Sequence, residues 1–441
     1  MRRVFLVALP LVGSAAVHDA AAQGVPVVAE STLTATISQS LEADTNYNLD
    51  SESPGTTYFG DTRIGIGLIQ ETDTQSLRFN LNTGLRALNQ PDQSFEWVVA
   101  SPSVARFAYS QDFANNAFDI DVSAASQRID QLILDTNPVF DDQGQPVIPD
   151  DVNLINDNTY QQRYDLNTGF VAGTNSPSSI TFRLRASNVD YSGDSAEDYV
   201  SRTGAEGILT WRLRFSPVLS SVVAAGYEYQ DADDDPNTEI NNTEFDIGLT
   251  YEPSDDLSLT FGGGYANRDE RTTDETTGVR STDTNTGIAL RALGDYQTDY
   301  LDLGFNLRYT TAAPTTRIAG DVQARYELPR GGITARAYQN YGLGSEGDDR
   351  RVTGLGVSYS HQINNISTGL FDFSAANSAS ADDDTGDPDR NQFDFTAQYT
   401  RDFTDLVSAS LGYTLTRQEE DDDATSNRFF FQIGRSFVTG F

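Results

Sequence analysis

The stretch R-F-F-F-Q-I-G-R-S-F-V-T-G-F, residues 428–441, decides the fold. Taking every second residue gives Phe429, Phe431, Ile433, Arg435, Phe437, Thr439 and Phe441. Between them fall Gln432, Gly434, Ser436 and Gly440, with Phe430 and Val438 as exceptions. One mostly apolar face and one mostly small or polar face, at a period of two, describe a β-strand. Such a strand has lipid on one side and water on the other. Arg435 and Thr439 interrupt the apolar face, and the stretch ends on an aromatic residue.

The same alternation recurs along the chain. Leu77, Phe79, Leu81 and Leu85 alternate with Arg78, Asn80, Asn82 and Arg86. Leu209, Trp211, Leu213 and Phe215 alternate with Thr210, Arg212 and Arg214. Further sets start at Phe245, Leu301, Phe393 and Val407. Sustained period-two patterning favours strand over helix.

The connections sort into two classes. Short ones rich in Pro, Gly, Asn and Asp fall at 216–220, 252–256, 297–299, 329–331, 362–365 and 402–405, as tight turns require. Longer acidic segments lie between them, at 231–241, 267–283, 342–350, 376–390 and 417–427. Short turn, strand, long loop, strand is the rhythm of an up-and-down antiparallel transmembrane β-barrel, all-β, with short periplasmic turns and long acidic extracellular loops. The pattern predicts about 18–20 strands, an even number with both chain ends on the periplasmic side. Patterning is weakest at Thr32–Leu41, Glu96–Tyr109 and Ile366–Ser374. A β-solenoid would show a fixed short repeat, which is absent, and a row of sandwich domains would not sort its turns by length.

The N-terminus has Arg2 and Arg3, the apolar run Val4–Val12, and Ala20, Ala21 and Ala22 before Gln23. That order reads as a secretory signal peptide. The expected layout is a signal peptide over 1–22, a short segment over 23–30 and a barrel over 31–441. Cleavage would remove His18 and leave His361. The run is too short for a spanning helix.

The chain has 65 acidic against 29 basic residues, a net charge of −36. Losing Arg2, Arg3 and Asp19 would take −36 to −37. No lysine occurs, so every basic side chain is arginine. A nucleic-acid partner is excluded, since phosphate binding needs a basic surface. There is no cysteine, hence no disulfide framework or thiol chemistry. The 24 Phe and 20 Tyr are ample for aromatic girdles at both membrane interfaces.

On these features the chain resembles outer-membrane β-barrel proteins of Gram-negative bacteria, which share the terminal aromatic strand, and within them the β-barrel porin families. Asp44-Thr45-Asn46 is similar to an Asp-x-Asn near the start of one such family. The resemblance implies the cell outer membrane as location. It implies outer-membrane lipid, lipopolysaccharide and the barrel-assembly machinery as partners, with Phe437 and Phe441 as the insertion signature. Trimers are common among these porins, though no trimer face is legible here. TonB-dependent receptors carry a long N-terminal plug, whereas strand patterning here begins near Thr32.

Alternation assigns the lumen-facing positions. Arg63, Arg78, Arg86, Arg106, Arg183, Arg185, Arg212, Arg214, Arg291, Arg308, Arg325 and Arg336 fall there, with Glu228, Asp246, Asp302, Asp321, Glu327 and Asp394. They are candidate pore-lining residues, because rings of fixed charge select solutes. Equally, such charges pair within a barrel and stiffen it. The longest connection, 131–158, carries Asp135, Asp141, Asp142, Asp150 and Asp151 and is the third outer loop. Folded inward against the arginines, it would form a constriction. Acidic clusters at Asp231–Asp235, Asp382–Asp384 and Glu419–Asp423 offer weak sites for Ca²⁺ or Mg²⁺ but match no ion-binding loop; otherwise no cofactor or metal is expected. Ser360 and His361 are adjacent, so on a strand they point to opposite faces and cannot form a nucleophile–base pair. No enzyme is expected. The expectation is a porin-like channel for passive diffusion of small hydrophilic solutes. The alternative is a barrel serving adhesion, surface structure or polysaccharide export.

Overall fold

The computed structural model describes residues 30–91, 94–100, 102–128, 159–193, 196, 199–233, 237–273, 277–313, 316–343, 349–381, 389–419 and 423–440. They form one sheet of 21 strand segments. In chain order these are β1 (Glu30–Asp44), β2 (Thr57–Glu71), β3 (Gln75–Asn89), β4 (Glu96–Val99), β5 (Ser103–Asp112), β6 (Asn116–Arg128) and β7 (Tyr160–Ala172). Next come β8 (Ser178–Ser192), β9 (Arg202–Ser216), β10 (Leu219–Ala232), β11 (Asn237–Ser254), β12 (Leu257–Thr273), β13 (Arg280–Gln297) and β14 (Leu301–Thr310). The last seven are β15 (Arg317–Leu328), β16 (Gly331–Leu343), β17 (Asp349–Asn364), β18 (Ser367–Ser380), β19 (Arg390–Thr404), β20 (Val407–Glu419) and β21 (Asp423–Gly440).

Strands pair antiparallel in chain order, except that β3 pairs with both β4 and β5, and β1 pairs with β21 from Thr32↔Gly440 to Asp44↔Arg428. The sheet therefore closes. β4 and β5 both lie along β3, opposite Leu85–Leu88 and Gln75–Asn82, so they share one place in the wall. Twenty-one segments thus make a barrel of twenty strands, the upper value of the sequence expectation. The interruption at 100–102 explains why patterning over Glu96–Tyr109 is weak.

Alternation sets two faces. Large apolar side chains such as Leu41, Leu249, Phe261, Ile288, Leu411, Phe429 and Phe431 are exposed on the outside. The opposite parity holds Asp44, Asp61, Arg86, Asp246, Asp372 and Asp394, all buried. A belt of apolar atoms facing out and ion pairs facing in suits lipid outside and water inside. Phe430 breaks the alternation by pointing inward, where it fills the space over its cross-strand partner Gly412. A Cβ at Gly412 would overlap the Phe430 ring. Tyr338 lies over Gly354 in the same way.

Both described ends, Glu30 and Gly440, lie at one rim, called lower here. Turns at this rim are short: 72–74, 217–218, 255–256, 329–330 and 405–406 are examples. Hydroxyls organise them. Thr404 Oγ1 accepts from the Leu406 and Val407 N–H groups at 3.2 and 3.0 Å. Thr298 does the same for Tyr300 and Leu301, and Thr72 for Thr74 and Gln75. A Ser/Thr side chain closing its own turn is a known local alternative to backbone pairing.

At the upper rim the strands run further than the sequence pattern marks. The segment read as loop over 267–283 is strand to Thr273 and again from Arg280; that over 231–241 is strand again from Asn237. Above the apolar belt these strands are held by polar cross-strand pairs. Arg271 and Arg280 bond Glu239 at 2.9 and 3.2 Å, and Thr284 donates to Asp269 at 2.7 Å. The hydrogen bond from Asn241 foremost, then Arg271 and Arg280, keep the Glu239 carboxyl below its ordinary pKa range. Acidic composition was read as loop because carboxylates are depleted in strands, yet here Glu239 and Asp269 each have a partner on the neighbouring strand.

Candidate functional site

The interior wall is the candidate site. Register places every arginine and carboxylate expected at the lumen on the interior parity, for example Arg291 opposite Gly262 and Arg308, and Arg325 opposite Asp302 and Thr334. Most of these arginines meet carboxylates that the sequence analysis did not single out. Arg86 forks onto Asp61 with Nε and Nη2 both at 2.7 Å, and Arg63 approaches Asp61 at 3.6 Å. Arg106 bonds Asp121 at 2.7 Å, Arg78 bonds Glu71 at 2.8 Å, and Arg212 bonds Glu252 at 2.6 Å. Arg185 stands 3.7 Å from Glu206, and Arg308 pairs with Glu244. Two pairs join residues expected together or on one strand: Arg291 with Asp246 at 3.0 Å and Arg325 with Glu327 at 3.4 Å. The missed carboxylates share one signal. Each has the interior parity of its strand, so carrying the alternation past the apolar core of each segment would have found them.

Two regions of this wall are densest. The first is the closing seam. Asp44 is 1% exposed and accepts from Arg428 Nε at 3.1 Å, from the Asn46 N–H at 2.9 Å and from the Ser426 hydroxyl. Thr45 N–H donates to the Asn427 carbonyl at 3.0 Å, and Thr45 Oγ1 accepts from Asn427 N–H at 3.0 Å. Asp44-Thr45-Asn46 therefore ties the first strand to the last. Beside it Tyr47, Phe59 and Leu88 form an apolar cluster, and the Arg86 guanidinium lies 4.4 Å from the Phe59 ring centre.

The second region is a cavity of about 190 Å³ on the opposite stretch of wall. Glu228, Asn242, Arg268, Arg308, Arg317 and Asn340 line it. The connection after β14 turns in beside it, where Ala312 packs on Ala266 and Ala289. This short connection thus reaches the interior face of the wall. The connection over 131–158, with Asp135, Asp141, Asp142, Asp150 and Asp151, lies outside the described residues, though its position between β6 and β7 makes it the third upper connection.

Other expected sites resolve as follows. Ser360 faces in and His361 faces out, where His361 stacks with Tyr359 at 6.0 Å near the lower rim. Of the acidic clusters, Glu419 and Asp423 share Arg417 at 2.7 and 3.1 Å. Asp234, Asp235, Asp382–Asp384 and 420–422 lie outside the described residues, as do Phe441 and 1–29. Phe437 faces out, with the Arg435 guanidinium 4.6 Å from its ring centre.

No protein-family model and no curated protein matches the sequence. Among solved structures the fold is similar to the ferric-catecholate import receptor Fiu from E. coli K12 in its open form, at 11% identity and a TM-score of 0.50, over 92% of this chain and 81% of that one. OccK7 (OpdD) of Pseudomonas aeruginosa aligns over 93% of this chain and 99% of its own, at 10% identity and a TM-score of 0.37. The FrpB iron transporter of Neisseria meningitidis aligns over 93% and 81%, at 8% identity and 0.48. Likeness at such identity concerns the fold. With its lipid-suited belt and charged interior, the molecule is a transmembrane β-barrel of the Gram-negative outer-membrane type.

Proposed function

We propose that the barrel is a passive outer-membrane channel for small hydrophilic solutes. The observation that carries this reading is the interior wall, where arginines and carboxylates occur on strand after strand around the circumference. Fixed charges on a wet wall favour polar solutes over apolar ones and sort them by charge. The pore-lining role of the arginines and carboxylates named above belongs to this proposal, as does any narrowing by residues 131–158. Outer-membrane lipid would face the apolar belt, and the assembly machinery would engage β21 through Phe437.

A second reading follows from the likeness to Fiu, a ferric-catecholate import receptor. A passive channel conducts on its own, and that is what separates the two readings. The test is planar-bilayer conductance of the refolded chain, with reversal potential under a salt gradient. Stable discrete steps support the channel, and the sign of the potential reports whether arginines or carboxylates dominate. A heat-modifiable, folded barrel that stays silent sinks it, leaving the receptor or a surface and export role.

A further inference from the structure

β13 outruns the wall beside it. It has 18 residues against 10 in β14, and its pairing with β14 ends at Ala289↔Thr310. From Arg280 to Gly287 it pairs with β12 alone, with no shift of register. The last contact on the β14 side is at Ile288. Its carbonyl accepts from the Thr311 N–H at 3.0 Å, and its N–H donates to Thr311 Oγ1 at 3.1 Å. Alternate residues of an antiparallel strand aim their backbone groups the same way. The N–H and C=O groups of Arg280, Thr282, Thr284 and Thr286 therefore point past the end of β14. Among the described residues no backbone group pairs with them. The outward side chains beyond Ile288 are those of Thr286, Thr284, Thr282 and Arg280, so this edge stands above the apolar belt.

Closing a barrel removes open edges, and where one remains proteins blunt it with proline, lysine or a bulge. Arg280–Gly287 has none of these, and it carries threonine, a residue suited to strands, at three alternate positions. Its charges are selective. Arg280 is neutralised by Glu239 at 3.2 Å. Asp283 accepts from the Asn285 amide at 3.1 Å. Asp269, directly across from Thr284, accepts from the Asn267 amide at 3.2 Å and from the Thr284 hydroxyl at 2.7 Å. All these donors are neutral, and among the described residues neither carboxylate is in an ion pair. Both are thus oriented and left charged beside the open edge.

We infer that this edge docks an extended, basic polypeptide segment, added as a further strand along Arg280–Gly287. Backbone pairing supplies the affinity, while Asp269 and Asp283 select lysine or arginine over acidic side chains. A second copy of the chain fits poorly. Barrels in one membrane point the same way, so two tilted β13 edges cannot lie antiparallel, and each brings the same carboxylates. The edge lies above the belt, so the inference holds whether or not the barrel conducts.

Binding of a short fluorescent peptide of alternating lysine and threonine to the refolded full chain in detergent tests it. One control is the glutamate–threonine counterpart. The other is the lysine peptide N-methylated on every backbone nitrogen, which keeps the charge and loses the donors of a strand. The basic peptide should bind saturably and about tenfold more tightly than either control. Thr282→Pro removes an edge N–H that bonds nothing in the sheet, and it should weaken binding about tenfold in a barrel that still shows heat-modifiable folding. Asp283→Asn should narrow the preference for the basic peptide over the acidic one. Equal binding of the N-methylated peptide would reduce the contact to charge alone and overturn the strand, without recourse to any variant. So would unchanged binding in a folded Thr282→Pro barrel. Dimers of the chain alone that Thr282→Pro abolishes would assign the edge to a second copy and likewise overturn the proposal.

Discussion

Arg86 shows what a single interior charge contributes. It is 5% exposed, forked onto an Asp61 that is 2% exposed, and capped by Phe59. Removing one member of a buried pair strands the other charge, at about 3–5 kcal/mol. Arg86→Met should therefore lower barrel stability by about that amount, less whatever Arg63 recovers from 3.6 Å away. Arg86→Met with Asp61→Leu should restore most of it, read from the urea midpoint in detergent or lipid. Equal losses in the single and double variants would mean that the pair is not the cause. On the other face, Arg435 looks misplaced in the sequence, since a lipid-facing arginine costs about 2–4 kcal/mol at mid-bilayer but about 0–1 near the interface. Its register opposite Val407, the first residue of β20, puts it at the lower rim, where it lies over Phe437. Arg435→Leu should change stability by no more than about 1 kcal/mol, whereas Phe431→Arg, in mid-belt, should cost about 2–4 kcal/mol. Similar losses for both would displace the belt.

Elements depend on features the alternation does not record. The lower turns use a hydroxyl to cap two N–H groups, and Thr404 is the clearest case. Thr404→Val keeps the shape and removes the acceptor, so about 1 kcal/mol of stability should go, with Thr298→Val behaving alike; no change in either would mean that water replaces the hydroxyl. Strand identity and facing were legible in the sequence, because a period of two is a property of each strand alone. Pair partners were not. Which carboxylate meets Arg106 or Arg212 depends on register between strands, and register follows from turn length and barrel closure. The upper boundaries were also hidden. Glu239, Asp269 and Arg271 carry the composition of a loop, and only pairing across β11–β13 makes them strand. Asp44-Thr45-Asn46 stood out as a motif, but its task needed the closed barrel. Its partners Ser426, Asn427 and Arg428 lie at the far end of the chain.

At the scale of the whole molecule the belt fixes how the barrel sits in a bilayer. On β21 the outward run from Phe429 to Phe437 spans about 20 Å along the membrane normal, at about 3.3 Å per residue and a tilt of about 40°. That is close to the apolar band of about 25 Å usual for such barrels. The chain has two tryptophans, and both face out. Trp97 lies near the upper end of β4, edge-on to Phe95 at 5.6 Å. Trp211 lies near the lower end of β9, and its Nε1–H donates at 2.9 Å to Ser178, the first residue of β8. Indole favours the interface, where its ring meets hydrocarbon and its N–H meets water. The two side chains therefore mark opposite edges of the belt. Each can be read separately in Trp97→Phe and Trp211→Phe, which leave one indole apiece. In bilayers of brominated lipid, both should be quenched more by bromines close to the headgroup than by bromines at the chain ends. Acrylamide in water should reach both only partly. Stronger quenching from the bilayer centre for either indole would move the belt by half its height. Quenching by acrylamide alone would take the belt out of lipid altogether.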